Sequence, residues 1–490
     1  DSLAVKALLD KLDPTLDDPR YRNLLLAASN VGSASMERVI DALEALLLRQ
    51  EQALPTGHSQ REASYLAMDN LQSNSAFQSL AGKVRIDPSN ADLRAKARND
   101  FSALASLLTL SPVVLSATNA ANQLILDTAL QQVWGTTYSN WLTDRSMSLA
   151  DRQAGNETYS DTWIADRAAM LDWVMLRNTR NINGTLTSLN TGRTISESTT
   201  YDDKTNGTKI FVGTADLNQH AQYIFGGAAA ETIGGFGRAD HLYGSAGNDT
   251  LNGEGGNDWL EGNADSDTLN GGDGSDTLLG GAGNDTLNGE DGTDNLAGGA
   301  GDDTLAGGLG NDQIKGGEGS DTYNFAPNWG ADTIEDKGGQ GSITIEGLGG
   351  LTPIASGATK VTADAWQSAN RNVYFTQASI DGTSNDLIVS FSDRSDTITI
   401  RNWASGDLGI TLAGAVAPPV TTNTLSGAFI KKLDPNDPTR YQFSGGNYIA
   451  DGVEPGANDV ITGGGADETL QGHAGHDALA GMGGADLIEG

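Results

Sequence analysis

Hydrophobic residues recur along this chain at three different periods. Up to about residue 180 the interval is helical. Met36, Val39, Ile40, Leu43, Leu46 and Leu47 share one face behind Ser35 as N-cap. Leu93, Ala97, Phe101, Leu104 and Leu108 form a second stripe after Ser89 and Asn90. Ile164, Ala168, Leu171 and Met175 form a third, with Ser160 ahead of it and Trp163 and Trp173 beside it. Stripes of this kind are core, and ordinary helix and loop lengths then predict an all-α module of roughly six to eight helices. Residues 181–225 turn to Thr, Ser, Asn and Gly with short β signals such as KIFV at 209–212, and Tyr223, Ile224 and Phe225 read as a leading strand or cap. From 226 to 324 one inward apolar residue stands in every nine. Past Tyr323 strand alternation takes over at 342–346, 386–391, 396–401 and 408–412, a β region expected to cover the end of what precedes it. Residues 413–422 (AGAVAPPVTT) open a linker, and nine-residue units return at 463–489 behind a degenerate copy at 458–461.

Written nine at a time, residues 226–324 give eleven units without a slip in phase. A fixed short period of this kind is a repeat architecture. Position one is Gly throughout, from Gly226 to Gly316. Position six is Asp in ten units, namely Asp240, Asp249, Asp258, Asp267, Asp276, Asp285, Asp294, Asp303, Asp312 and Asp321, with Glu231 in the first. Position eight is Ile233, then Leu from Leu242 to Leu305, then Ile314 and Tyr323. The glycines supply the positive-φ conformations of a tight turn, and the last three residues form a short strand with position eight inward. One unit is half a coil and two make a flattened turn. Stacking the coils lines up the aspartates in two columns, where like charges several ångströms apart cost a few kcal/mol per contact at an effective dielectric of about 20. A cation between successive turns removes that cost. Carboxylates with turn carbonyls suit a hard, oxygen-preferring ion of flexible coordination, Ca²⁺ rather than Zn²⁺. In the later units Asp477 and Asp486 hold position six and Glu468 replaces a third; His473 and His476 on those turns read as solvated.

Charge sharpens this picture. Lys plus Arg is 30 against 64 Asp plus Glu, a net charge of −34, which argues against nucleic acid or an anionic membrane as main partner. Within 226–324 nineteen acidic residues face only Arg238 and Lys315, so without counter-ions the segment is expected to repel itself open. There is no Cys, hence no disulfide and no thiolate metal site. The longest apolar region, 104–115, is too short to span a bilayer and contains Pro112. The chain starts at Asp1 without an initiator Met or signal-peptide core and ends one residue into a repeat, so it is expected to be an internal piece of a larger protein.

Catalytic motifs are not found. Residues 57–61 (GHSQR) lack the second Gly of a nucleophile elbow, and no HExxH or phosphate-binding Gly-Lys-Ser loop occurs. Whether the protein has enzymatic activity is therefore left open by this chain. The Asp-Pro pairs at 13–14, 18–19, 87–88, 434–435 and 437–438 read as turn or helix starts.

The nonapeptides resemble those of the haemolysin-type, or RTX, calcium-binding family. SDTITIRNWASGDLGITL at 395–412 resembles the related domain that follows repeats in large RTX proteins. ARNDFSALASLLTLSP at 97–112 and DRAAMLDW at 166–173 are similar to segments lying between a lipase-like hydrolase and the repeats in some large RTX enzymes. The resemblance implies Ca²⁺ as the bound ion, export by the type I secretion machinery, and an extracellular or cell-surface, toxin-like protein. It leaves two further readings: the non-catalytic part of a lipase-like hydrolase, or a calcium-stiffened adhesin or surface-layer component. The expected organisation is a multidomain α + β chain. It runs from an α-helical module (1–180) and a β-rich connector (181–225) into a right-handed parallel β-roll (226–324). A β-rich domain (325–412), a linker (413–453) and a second, truncated repeat array (454–490) follow.

Overall fold

The computed structural model describes residues 2–29, 35–49, 60–89, 93–153, 155–176, 186–187, 194–195, 199–205, 207–212, 220–336, 340–361, 364–370, 372–378, 385–412, 433–434, 437–441, 460–462, 469–471, 478–480 and 487–489. The N-terminal region is helical and a β-solenoid of about seven turns occupies residues 199–345, with more strands after it. The chain divides into two compact units, 1–228 with 235–245, and 229–234 with 246–490.

The first unit begins with helices whose buried faces are the stripes of the sequence. Helix Ser35–Leu48 buries Val39, Ile40, Leu43, Leu46 and Leu47. The second stripe is divided between Leu93–Ala97 and Phe101–Leu108, because the Asp100 carboxylate accepts the Ser102 amide at 2.9 Å and starts a new helix. Ser160, ahead of the third stripe, caps helix Asp161–Leu176, its Oγ accepting the Trp163 amide at 3.0 Å. Phe101 sits among Trp134, Tyr138 and Trp141 with ring centroids 5.8, 4.7 and 5.4 Å away. Among the described residues one antiparallel ladder interrupts the helices, Val84–Pro88 against Val113–Ala117. Five residues per strand are too few for alternation to stand out beside the helical stripes.

Parallel stacking starts before the first nonapeptide. Thr199–Asp203 pairs antiparallel with Thr208–Val212 and parallel with Ala221–Phe225, which in turn pairs parallel with His241–Ala246. Phe225 stacks on Tyr243 at 5.1 Å with the rings 5° from parallel, so the expected leading strand is the coil beneath the second repeat. Arg167 on helix Asp161–Leu176 is buried against this coil. It is paired with Asp203, donates to the carbonyls of Leu107 (3.0 Å) and Leu108 (2.9 Å), and lies 4.8 Å from the Phe225 ring.

In the second unit each strand pairs in parallel with the strand two nonapeptides on. Leu251 is opposite Leu269, and Leu260 opposite Leu278, with the intervening strand in the other sheet. One repeat is therefore half a coil. Leu251, Leu260, Leu269, Leu278, Leu287, Leu296 and Leu305 are all fully buried, a single file of side chains between the sheets. Coiling continues past the last Gly-rich unit: Ala331–Glu335 stacks on Gln313–Glu318, and Gln340–Ile345 on Ser320–Phe325. Ile334 stands over Ile314, and Ile343 over Tyr323. The expected end of the roll at 324 is thus two strands early. Two extra residues before Ala331 break the nine-residue phase while leaving the coil intact.

Strands Val373–Ala378, Asp386–Phe391 and Thr397–Ile400 then form an antiparallel meander, and the last of them lies parallel to Ala331–Glu335. Of the 413–453 stretch, the described pieces Leu433–Asp434 and Asp437–Tyr441 pair antiparallel. Farther on, Val460–Thr462 pairs parallel with Ala478–Ala480, and Thr469–Gln471 with Leu487–Glu489. Val460 is opposite Ala478 and Thr469 opposite Leu487, the same eighteen-residue spacing as in the main solenoid. Among the described residues no helix is long and apolar enough to cross a membrane.

Candidate metal centre

From Asp267 on, each repeat turn places its Asp in the same way. One oxygen, Oδ1, accepts the amide of the Asp eighteen residues earlier. Asp276 holds the Asp258 amide at 2.7 Å, Asp294 that of Asp276 at 2.8 Å, and Asp312 that of Asp294 at 2.9 Å. In the other column Asp267, Asp285, Asp303 and Asp321 do the same for Asp249, Asp267, Asp285 and Asp303. The second oxygen, Oδ2, is buried without a hydrogen-bond partner in Asp249, Asp258, Asp267, Asp276, Asp285, Asp294, Asp303, Asp312 and Asp321. All nine residues are at most 3% exposed. A buried polar atom without a hydrogen-bond partner is costly, and nine in register form an oxygen set suited to a cation.

Glycine at position one leaves the room. A methyl group added to Gly271 would collide with Asp276 Oδ2 and lie 2.8 Å from the Gly289 carbonyl oxygen. The same holds at Gly253, where the intruding atoms are Asp258 Oδ2 and the Gly271 carbonyl, and at Gly280, where they are Asp285 Oδ2 and the Gly298 carbonyl. A carboxylate oxygen of one turn and a carbonyl of the next level thus converge over a Cα that carries no side chain. Among the described residues no three His, Asp or Glu side chains converge to hold a metal by themselves. The donor set is one carboxylate with backbone carbonyls per level, all hard oxygens, and it fits Ca²⁺.

Burial sets the electrostatics. It pushes the carboxyls of Asp249, Asp285 and Asp321 up to about 6 and those of Asp267 and Asp294 to about 7. Asp303 reaches about 8, with Asp285 and Asp321 adding to the effect of burial. Asp276 and Asp312 are raised for the same reason.

Asp240 stands apart from the other sequence-predicted residues. Its Oδ1 accepts the Gln222 amide at 2.6 Å and its Oδ2 the Phe236 amide at 2.7 Å, so both oxygens serve the first coil. Asp477, Asp486, Glu468, His473, His476 and the 57–59 segment with His58 lie outside the described residues. Among the described residues, Asp332 is one that sequence reasoning missed. Asp332 has its Oδ1 on the Asp312 amide at 2.9 Å and a buried Oδ2 without a partner, as in the repeats. Its signal is the G-A-D-T-I of 330–334, the tail of a nonapeptide without the opening Gly pair.

The family model for the RTX calcium-binding nonapeptide repeat matches residues 234–269, 261–296, 270–305, 288–323 and 456–490. Among solved structures, the extracellular lipase LipA from Serratia marcescens is similar at 16% identity, over 44% of this chain and 42% of its own, with a TM-score of 0.19. This chain therefore spans less than half the length of that protein. No curated protein matches it.

Proposed function

We propose that this chain, which carries RTX calcium-binding nonapeptide repeats, is part of a secreted protein whose roll folds on extracellular calcium after passing through a type I secretion system. The observation that carries the reading is the file of buried, partnerless Oδ2 atoms over side-chain-free glycines. The ligands are then Asp249, Asp258, Asp267, Asp276, Asp285, Asp294, Asp303, Asp312 and Asp321 with the turn carbonyls, and Asp477 and Asp486 extend the set into the second array.

A bound Ca²⁺ supplies the positive charge that lets stacked carboxylates remain ionised out of water. The chain's own residues do the rest. The position-six aspartates tie each level to the one below through Oδ1. Position-one glycines keep the cradles open. Position-eight leucines bury the thin core, each contributing ~2 kcal/mol of burial. That core is too thin to offset both carboxylate repulsion and the backbone entropy of so many glycines. Extracellular modules bind with dissociation constants of ~10⁻⁴ to 10⁻³ M, and at about ten times that value each site adds ~1.4 kcal/mol to folding. At cytosolic calcium the contribution vanishes, which keeps the segment extended for export.

The test is equilibrium dialysis of the full chain against calcium, with magnesium in excess. Several ions per chain, retained in magnesium, are expected. An absence of calcium uptake, or its displacement by equimolar magnesium, would overturn the reading.

A further inference from the structure

Past the last nonapeptide the chain builds one more turn of the same geometry from unrelated residues. Gly330, at φ +92°, stacks on the Gly310 carbonyl as Gly310, at φ +138°, stacks on that of Gly292. The Ala331 amide donates to Asn311 Oδ1 at 2.9 Å, as the Ser275 amide does to Asn257 Oδ1 at 3.1 Å. Asp332 then occupies the place of a position-six Asp, 1% exposed, with Oδ1 engaged and Oδ2 without a partner. What lies above it is different. Instead of a further repeat, the segment before strand Thr397–Ile400 folds back, and Asp396 accepts the Asn328 and Gly330 amides, each at 3.3 Å. Asp396 is itself 6% exposed. Asp332 thus holds the level of Asp312, and Asp396 holds through Oδ1 and Oδ2 the turn that carries Asp332, so two buried carboxylates 64 residues apart in sequence flank one turn. Burial raises the Asp332 carboxyl, and the charges of Asp312 and then Asp396 add to the effect.

We propose that Asp332 and Asp396, with carbonyls of the 326–332 turn, form one additional calcium site that closes the Asp258–Asp312 column and ties the antiparallel meander to the end of the solenoid. It lies outside the matched repeats and rests on the reading that the roll binds calcium. A hard cation is the fitting occupant, because the donors are two carboxylates and backbone oxygens. Two buried like charges without a counter-ion are strongly unfavourable, whereas two sharing one ion are not.

Native mass spectrometry of the calcium-loaded full chain counts bound ions directly. Asp332→Asn keeps an oxygen for the Asp312 amide and removes only the charge; Asp396→Asn is the second variant, outside the repeat ladder. Each is expected to carry one calcium fewer than the parent, and the double variant also one fewer, not two, since the site is shared. Parent-level calcium in either single variant would overturn the proposal while leaving the roll reading intact. A parent chain without calcium would overturn both. Two ions lost in the double variant would show separate sites and contradict the shared one.

Discussion

Asp276 is buried with one carboxylate oxygen on the amide of Asp258 and the other without a partner. That asymmetry makes the residue a pH sensor whose sign depends on calcium. Burial raises the Asp276 carboxyl above its usual value near 4, and takes those of Asp249, Asp267, Asp294 and Asp303 to between about 6 and about 8. Without metal, the folded roll therefore binds protons more tightly than the unfolded chain. Its stability is fully present below about pH 4 and is lost as the pH rises through 6 to 8. On the proposed reading the ionised form is the calcium ligand, so affinity is expected to rise over the same window. Circular dichroism in chelator is expected to show β structure gained on acidification from pH 8 to about 4.5, while the calcium midpoint moves to higher concentration. A calcium midpoint independent of pH would contradict this assignment of the carboxyls.

In the repeating strand, position decides the outcome of a substitution. Leu278 is fully buried between the sheets, and Thr277 next to it is partly exposed on the outer face. Leu278→Asp removes ~2 kcal/mol of apolar burial and leaves a carboxylate in a file one side chain wide, whereas Thr277→Asp does neither. The first variant is expected to need several-fold more calcium to fold, and the second close to the parent amount; equal midpoints in a calcium titration would refute the inward and outward assignment. This much was legible in the sequence, because period nine places every Gly, Asp and Leu in an equivalent environment. The strands 331–335 and 340–345 were not, since a coil can keep its register of hydrogen bonds while two inserted residues destroy the period that betrays it. Asp332 was lost with them. Asp396 could not have been found at all, because only the fold-back of the meander brings it to Asn328 and Gly330. In the helical region the stripes located the helices, but Asp100 divides one of them by capping, an effect of a single side chain that periodicity does not register.

Across the whole molecule two kinds of core are expected to differ in their dependence on calcium. The helices bury broad apolar faces, such as Phe101 among Trp134, Tyr138 and Trp141, and are expected to fold without an ion. The roll buries one large apolar side chain per nine residues and stacks its share of a net charge of −34 in register. Amide hydrogen exchange of the full chain, read by mass spectrometry in chelator and again in millimolar calcium with magnesium as control, separates the two most directly. The account predicts that peptides from 35–48 and 161–176 are protected in all three conditions, and that those from 250–325 are protected only in calcium. Protection of 250–325 in chelator, or an equal response to magnesium, would contradict it.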